Sequence, residues 1–590
     1  MHKNNVHNFH IPVMGLAFTI DSPIRVAQFG ISSVISIMDD DLMEKMNAHY
    51  SRKFNLDYQE ITPKSYDYRA KRITSYLNLV DEIVSRKFAA FKAELTQSMV
   101  AVENFIAMLP KSEIRSGLEN LLREGDFSGN KIAAFCQEHL APGDIDVNIM
   151  TKVDRENFEK NTPLPVEFND AHAALRGFAN SRLSSSVVLS AGMNPRLYSY
   201  FESFDDFFPN QNGLLKKKVT IKVSDFRSAM IQGNFLAKKG LWVSEFRIES
   251  GLNCGGHAFA TDGTLMGPIL EEFKQKRESL VAGMHELLCK ALLQKNLPVP
   301  EAPLPLKITV QGGVGTAEEH DFLLEHYNTD SVGWGSPFLL VPEATSTDSA
   351  TRQLLADARE EDLYISNISP LGVPFNTVKG TTNELIRKKR IDDQKPGSSC
   401  PKKYLALNTE YGKKGICTAS RKFQEIKLAE LDAQEITPEE YDVKKDAITD
   451  KSCLCVGLAN ASLLENDIKI KGDQGVVVCP GPNIAYFGRQ YSLKEMIGHI
   501  YGGASLLEGV SRPNLFIKEL TLYLNHLYTE VKAVDHAATN KQILKLKQNL
   551  LSGVNYYKQL FESVSSFKDS LSANLKALDA IESELGAIAV

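Results

Sequence analysis

The chain has 590 residues, a formal net charge of −6, 43% hydrophobic residues and 24% charged residues, which is an ordinary globular balance. This charge excludes a broadly basic nucleic-acid-binding surface. The sequence contains no run of about 18 apolar residues, so we predict no membrane span. The first residues lack the charged and apolar regions of a signal peptide. Eight cysteines are too few for a disulfide framework in a chain of this length, so we expect a cytoplasmic protein.

Short apolar runs separated by helical segments recur along the first 380 residues. Eight of them predict strands, at 9–14, 33–37, 145–150, 186–190, 218–223, 241–248, 306–310 and 330–334. The runs are continuous rather than alternating, as expected for parallel strands that are buried on both faces. This pattern predicts an α/β fold, a (β/α)8 TIM barrel formed by residues 1–40 and 141–380.

A helical segment of about a hundred residues interrupts this alternation after the second predicted strand. Within residues 41–140, Ile73, Leu77, Val80 and Ile83 recur at helical spacing and define one apolar face. We therefore predict a large helical insertion. Because the insertion leaves the barrel at the end where active sites open, we expect it to form part of the wall of the site.

Two further segments follow the barrel. Residues 381–510 have mixed character and contain a group of cysteines, whereas residues 511–590 are helical, with a near-heptad apolar stripe that runs from Ile543 to Leu585. Such a stripe predicts a helical hairpin or coiled coil. It is too long to remain in water, so we expect a homodimer, with a helical pair folded back within one chain as the alternative.

Glycine-rich loops follow three of the predicted strands. "ESGLNCGGHAF" spans 249–259, "QGGVGT" spans 311–316 and "GWGS" spans 333–336. Glycines after the last two strands of such a barrel, next to a helix N-terminus, are typical of a phosphate site. A histidine beside two glycines can transfer a proton near neutral pH. The alternative is a glycine-rich turn with an incidental histidine.

An ordered set of short motifs points to a family. The motifs are "VNIM", "VVLSAGMNP", "KVTIKVSD", "ESGLNCGGH", "QGGVGTAEEH" and "DSVGWGSPFLLVPEA", with "IPVMG" near the N-terminus and "ISNISPLGVPFNTVKG" at 365–380. In this order they resemble the flavin TIM barrels of the nitronate monooxygenase and FMN-dependent enoyl reductase group, also described as 2-nitropropane dioxygenase-like. The resemblance covers residues 1–40 and 141–380.

The resemblance implies FMN as the cofactor, without a metal in the reaction, and a small-molecule substrate. The residues implied to contact the FMN phosphate are Gly312, Gly313, Gly333, Gly335 and Ser336. Those implied to lie near its isoalloxazine ring are Met14, Gly15, Asn148, Lys222 and Ser224. Glu249, Gly255 and Gly256 are implied to lie in the adjoining loop. His257 is implied to be the proton-transfer group. Cys254 stands where an alanine is common, and we interpret it as a small packing residue.

Three functions are compatible with these residues. The first is an FMN-dependent oxidoreductase of the nitronate monooxygenase-like class. The second is an NAD(P)H-dependent enoyl-thioester reductase of fatty-acid or polyketide type, because "GGVGTAEE" also resembles the reductase component of polyunsaturated fatty-acid synthases. The third is a non-catalytic barrel that acts as an assembly or binding protein, since a fold does not by itself establish an activity.

Four cysteines in residues 381–510, which we call the extension, suggest a separate site. Cys400, Cys417, Cys453 and Cys455 could bind Zn²⁺ or an iron–sulfur cluster through their thiolates. Their spacing matches no common zinc or ferredoxin pattern. The alternative is four unconnected buried thiols.

Overall fold

The computed structural model describes residues 6–123, 128–190, 192–470, 472–532 and 537–588. Eight parallel strands close into a barrel, as the sequence predicts. In chain order they are β1 (Phe9–Ile11), β2 (Ser32–Ser36), β3 (Ile145–Ile149), β4 (Ser186–Leu189), β5 (Lys218–Val223), β6 (Val243–Glu249), β7 (Lys307–Gln311) and β8 (Ser331–Gly333). Each strand pairs with its neighbour in the chain, and β1 pairs with both β2 and β8 to close the barrel.

The barrel strands are rich in β-branched residues, which pack well on a pleated surface. Ile11, Ile35, Val147, Ile221 and Ile248 are all fully buried. Both faces of each strand are covered, by the barrel interior and by the outer helices, so polar side chains such as Glu245 and Arg247 of β6 are buried together with the apolar ones.

In the part of the chain that the structure describes, twenty α-helices cover the barrel and form the added segments. In the first half of the chain they are α1 (Ser22–Val26), α2 (Asp40–Lys53), α3 (Tyr68–Gln97), α4 (Met99–Ile106), α5 (Glu113–Arg123), α6 (Gly129–His139), α7 (Asp170–Ala179), α8 (Pro195–Tyr200), α9 (Phe226–Ala237) and α10 (Met266–Gln294). In the second half they are α11 (Ala317–Tyr327), α12 (Ser349–Asp357), α13 (Thr382–Asp392), α14 (Arg421–Asp432), α15 (Pro438–Thr449), α16 (Leu454–Glu465), α17 (Leu493–Ile500), α18 (Leu515–Lys532), α19 (Ala537–Ser563) and α20 (Leu571–Ala587).

Shorter elements connect these helices and strands. Two antiparallel ribbons lie outside the barrel, Phe158–Glu159 with Thr162–Pro163 and Leu363–Ser366 with Phe375–Val378. Single 3-10 turns are found at Ala27–Phe29, Val166–Phe168, Phe201–Ser203, Asp205–Phe207, Ser336–Leu340, Glu360–Asp362, Pro482–Tyr486 and Ser565–Phe567.

The helical insertion comprises α2 to α6 and lies on the outside of the barrel. Its longest helix, α3, packs on α2, α6 and α7. Ile73 of α3 contacts Gly177 of α7 so closely that a Cβ at 177 would lie 2.8 Å from the Cβ of Ile73. Arg69 of α3 forms an ion pair with the buried Asp170 at 2.8 Å. The insertion therefore supplies the outer helical layer between β2 and β3.

The C-terminal helices α18, α19 and α20 pack on one another, and α19 also packs on α10. Within the predicted apolar stripe, these contacts in one chain fully bury Leu550, Val554, Tyr557 and Leu578. The predicted hairpin or coiled coil is accompanied by a further helix, because three helices share the apolar core. The homodimer stays a prediction, and the stripe no longer argues for it.

None of the helices in the described part of the chain is both long enough and apolar enough to span a membrane.

Candidate active site

A cavity of about 440 Å³ lies at the carboxyl ends of the barrel strands. Its lining contains every residue that the resemblance implied for the cofactor or the chemistry: Met14, Gly15, Asn148, Lys222, Ser224, Glu249, Gly255, Gly256, His257, Gly312, Gly313, Gly333, Gly335 and Ser336. They come together because parallel strands place all their carboxyl ends on one rim of the barrel. Their assignment to FMN stays a prediction.

His257 lies in the loop after β6 and is held from the side by the ribbon that follows the barrel. Its backbone pairs with Phe375, whose ring centroid lies 5.0 Å from that of the imidazole. Its Nε2 atom lies 2.7 Å from the hydroxyl of the buried Ser369. Burial lowers the pKa of His257 to about 4. The imidazole is therefore neutral at pH 7, so one ring nitrogen donates and the other accepts.

A charged group on β5 and β6 faces the same cavity. Lys222 lies 3.0 Å from Oε1 of Glu249, which also accepts a hydrogen bond from Nε2 of Gln311 at 2.7 Å. Opposite charges at this distance attract each other, so each side chain holds the other in place. The arrangement places an ammonium group and a carboxylate beside any ligand that enters the cavity.

The loop after β7 needs glycine at two successive positions. Gly312 has a φ of +121° and Gly313 a φ of +80°, which side chains other than hydrogen rarely allow. A Cβ at 312 would lie 2.9 Å from Sγ of Cys254, and one at 313 would collide with the side chain of Asn253. Cys254 is thus in close contact with the glycine loop, in agreement with its interpretation as a packing residue.

Backbone donors for an anion are available in the loops after β7 and β8. Gly315 N donates to Glu319 at 2.9 Å, so this N–H is already satisfied within the protein. Within the described ranges, no acceptor is found for the N–H groups of Gly313, Gly335 and Ser336. Unsatisfied backbone N–H groups attract anions, so these three, one after β7 and two at the start of the turn after β8, are the candidates for a phosphate.

Buried side-chain acceptors without partners give a second test of whether a polar cofactor fits. Oδ1 of Asn148 and Oδ1 of Asn253 are buried, and each lacks a hydrogen-bond partner in the described part of the protein. Both residues line the cavity. Leaving a buried polar atom unsatisfied costs about 1–3 kcal/mol, so these atoms are suited to a ligand that offers hydroxyl or N–H donors. FMN fits this set of groups.

The wall of the cavity that closes over the glycine loops comes from the extension, which sequence reasoning missed. Leu458, Cys479, Gly481 and Asn483 line the cavity. The N–H of Gly481 donates to the hydroxyl of Ser336 at 2.7 Å. The motif "CPGPN" at 479–483 is the sequence signal that could have indicated a close backbone approach.

The helical insertion does not form this wall. Of the residues from 41 to 140 that the structure describes, none lines the cavity. The prediction was wrong because α2 begins directly after β2 and turns the chain onto the outer face of the barrel, where α3 packs on α7.

The cysteines of the extension are buried and none of them is in a disulfide. Hydrogen bonding to Cys417 lowers the pKa of Cys400 to about 7, whereas burial raises the pKa values of Cys453 and Cys455 and favours neutral thiols. Among the described residues, no three His, Cys, Asp or Glu side chains are arranged so that they could hold a metal ion. The geometry thus gives the predicted zinc or iron–sulfur site at Cys400, Cys417, Cys453 and Cys455 no support.

Comparisons with known proteins add little to this geometry. No protein-family model matches the chain, and no curated protein matches it. One similar solved structure is the enoyl reductase domain of MlnA from the macrolactin biosynthesis cluster of Bacillus amyloliquefaciens. It is 14% identical, with a TM-score of 0.30, over 71% of this chain and 88% of that chain. At this identity and score, the likeness carries no argument about the function.

Proposed function

We propose that the protein is an FMN-dependent oxidoreductase of the nitronate monooxygenase-like class. The observation that carries the proposal is the cavity itself, in which unsatisfied backbone donors, unsatisfied buried acceptors and a neutral histidine face one another. The ordered motifs of the sequence, which resemble this class of flavin barrels, support the same assignment.

The protein groups that would hold the cofactor are of two kinds. Gly312, Gly313, Gly333, Gly335 and Ser336 would accommodate the phosphate, because all five line the cavity and three of their N–H groups lack acceptors in the described part of the chain. Met14, Gly15, Asn148 and Lys222 would lie against the ring system, with Glu249, Gly255 and Gly256 in the adjoining loop. When bound, FMN supplies the redox chemistry at a substrate carbon, and the protein supplies orientation and charge.

His257 would be the group that exchanges a proton with the substrate. Because burial keeps its imidazole neutral at pH 7, one ring nitrogen can accept a proton from the substrate while the other is directed by Ser369. Phe375 packs against the ring and limits its rotation. Lys222 is positioned to stabilise negative charge that develops near it, and Glu249 holds the ammonium group in place.

The test is a change that blocks the phosphate position. Gly313→Asp places a side chain where Asn253 already lies and adds a negative charge, so the purified variant should lack the flavin absorbance of the wild type. Gly509→Asp is the matched control, because Gly509 also has a positive φ but no atom within 4 Å of an added Cβ. A folded Gly313→Asp protein with one FMN per chain would contradict the phosphate assignment.

Reduction of an enoyl thioester with NAD(P)H is the second candidate. It is favoured by the position of His257 in the cavity, because reduction of a carbon–carbon double bond needs a proton-transfer group, whereas a nitronate arrives already deprotonated. Assays of nitronate oxidation and of NAD(P)H-dependent enoyl reduction on the same flavin-loaded preparation distinguish the two candidates. A colourless protein that is inactive in both assays would favour the third possibility, a non-catalytic binding barrel.

A further inference from the structure

The loop that carries His257 is held at both ends by a single side chain from the C-terminal helices. Residues 250–265 connect β6 to α10. At the start of this loop, the hydroxyl of Ser250 donates to Oε1 of Glu519 at 2.6 Å. At its end, the N–H of Met266 donates to Oε2 of the same carboxylate at 2.9 Å. Glu519 belongs to α18, lies 269 positions from Ser250 along the chain and is almost completely buried.

The C-terminal helices also cap the helix that follows the loop. The residue before α10 is Leu265, whose side chain makes no capping hydrogen bond. Instead, Glu519 accepts from the N–H of Met266, and the hydroxyl of Tyr557 accepts from the N–H of Gly267 at 3.1 Å. A carboxylate at a helix N-terminus is favourable, because the first N–H groups there have no partner within the helix. The position where the loop ends therefore depends on α18 and α19.

Further contacts hold the middle of the loop. The hydroxyl groups of Thr261 and Tyr523 lie 2.9 Å apart. The side-chain amide of Asn549 donates to the backbone oxygen of Asp262 at 2.7 Å. Gly251 permits the close approach of Tyr523 to the loop, because a Cβ at position 251 would lie 2.8 Å from the hydroxyl of Tyr523. Residues on both sides of His257 thus contact the same helical unit.

We propose that Glu519 is a positioning residue, which sets the placement of His257 by fixing the two ends of its loop. The proposal rests on the proposed role of His257. Without the carboxylate, the ends of the loop lose their common partner, and the imidazole occupies a wider range of positions. A displacement of about 1 Å at a reacting group can lower a rate by up to about 100-fold.

The test compares Glu519→Gln with Glu530→Gln, a control on the same helix whose carboxylate is 43% exposed. Glutamine keeps one acceptor oxygen but presents an NH2 group to the second donor. Amide hydrogen exchange is measured by mass spectrometry at pH 8. We expect peptides from 250–265 to exchange about 10-fold faster in Glu519→Gln, with β5 and β7 unchanged. Unchanged exchange in the loop, or equal acceleration throughout the barrel, would overturn the proposal.

Turnover supplies the second measurement. In Glu519→Gln we expect kcat to fall about 10-fold while KM and FMN content stay within about 2-fold, because the chemistry rather than the binding depends on His257. A kcat equal to that of Glu530→Gln would overturn the proposal. A wild-type protein without flavin or turnover would refute the proposed function. The contribution of Glu519 to the loop would still be measured, because hydrogen exchange needs no activity.

A milder variant covers the case in which Glu519→Gln does not fold. Ser250→Ala keeps the carboxylate of Glu519 but removes the hydroxyl that donates to its Oε1. We expect exchange of residues 250–257 to rise about 3-fold and kcat to fall about 2-fold. No change in either quantity would overturn the proposal.

Discussion

Two helical regions were added to the same barrel, and they differ in what they do for the site. The insertion, α2 to α6, packs on the outer face next to α7, and its described residues stay outside the cavity. The C-terminal unit, α18 to α20, contacts the loop that carries His257 at both ends and in the middle. In the sequence the two regions look alike, since both show apolar residues at helical spacing.

The difference follows from the barrel surface that each region covers. The insertion replaces an outer helix and contributes buried apolar area, so it should affect stability. The C-terminal unit donates and accepts hydrogen bonds at a loop of the cavity, so it should also affect turnover. A helical addition therefore acts on a site only through the loop on which it packs.

The largest expected effect is a loss of kcat on replacement of His257, the residue through which the C-terminal unit would act. His257→Ala should lower kcat by about 10²–10⁴-fold while FMN stays bound, because it removes the group that transfers the proton. Steady-state kinetics together with flavin absorbance provide the measurement. Ser369→Ala, which keeps the imidazole but removes its hydrogen-bond partner, should cost less. Full activity of His257→Ala would exclude the histidine from the mechanism.

A double variant tests whether the C-terminal unit acts through this histidine. Glu519→Gln alone should lower kcat about 10-fold, but in a His257→Ala background it should lower kcat by less than about 2-fold, because two residues of one functional unit are not additive. The four kcat values of the double-mutant cycle are compared. Additive losses would mean that Glu519 affects turnover by another route.

The insertion should show the opposite behaviour. Leu77 of α3 is fully buried, so Leu77→Ala should lower the free energy of unfolding by about 2–5 kcal/mol. Turnover per folded, flavin-bound chain should not change. Denaturant unfolding and kcat are measured on the same preparations, with Leu77→Met as the volume-conserving control. A loss of kcat in Leu77→Ala at saturating substrate would remove the distinction between the two regions.

The smallest expected effect is a pH dependence of stability at Glu519. Burial raises its pKa to about 7, above the ordinary value of 4.5. The folded state then binds this proton more tightly than the unfolded state. The free energy of unfolding should therefore fall as pH rises from about 4.5 to about 7, by up to about 1.4 kcal/mol per pH unit.

The groups that face Glu519 leave this titration undisturbed. Burial raises the pKa of Tyr523 to about 12 and also raises the pKa values of Tyr557 and Cys254, so all three stay protonated in this range. Unfolding of the wild type and of Glu519→Gln is compared from pH 5 to pH 8. The stability advantage of the wild type should shrink as pH rises, and a constant difference would contradict the raised pKa.

The sequence by itself determined the barrel and the set of residues around its cavity. Strands such as 218–223 are rich in β-branched residues, Val219, Thr220, Ile221 and Val223, and this composition predicts a buried strand. Since parallel strands end on a common rim, glycine-rich motifs after 248, 310 and 332 had to meet there. Local pattern was sufficient because each motif directly follows its own strand.

Only the tertiary structure decided what covers that rim and what holds it in place. Gly481 approaches Ser336 from 145 positions away, and Glu519 approaches Ser250 from 269 positions away. Helical periodicity shows which face of α18 or α3 is buried, but it does not show the surface on which that face packs. The physical reason is that the hydrophobic interaction is non-directional, so an apolar stripe does not specify the surface that covers it. The partner of a buried carboxylate likewise depends on how distant segments pack.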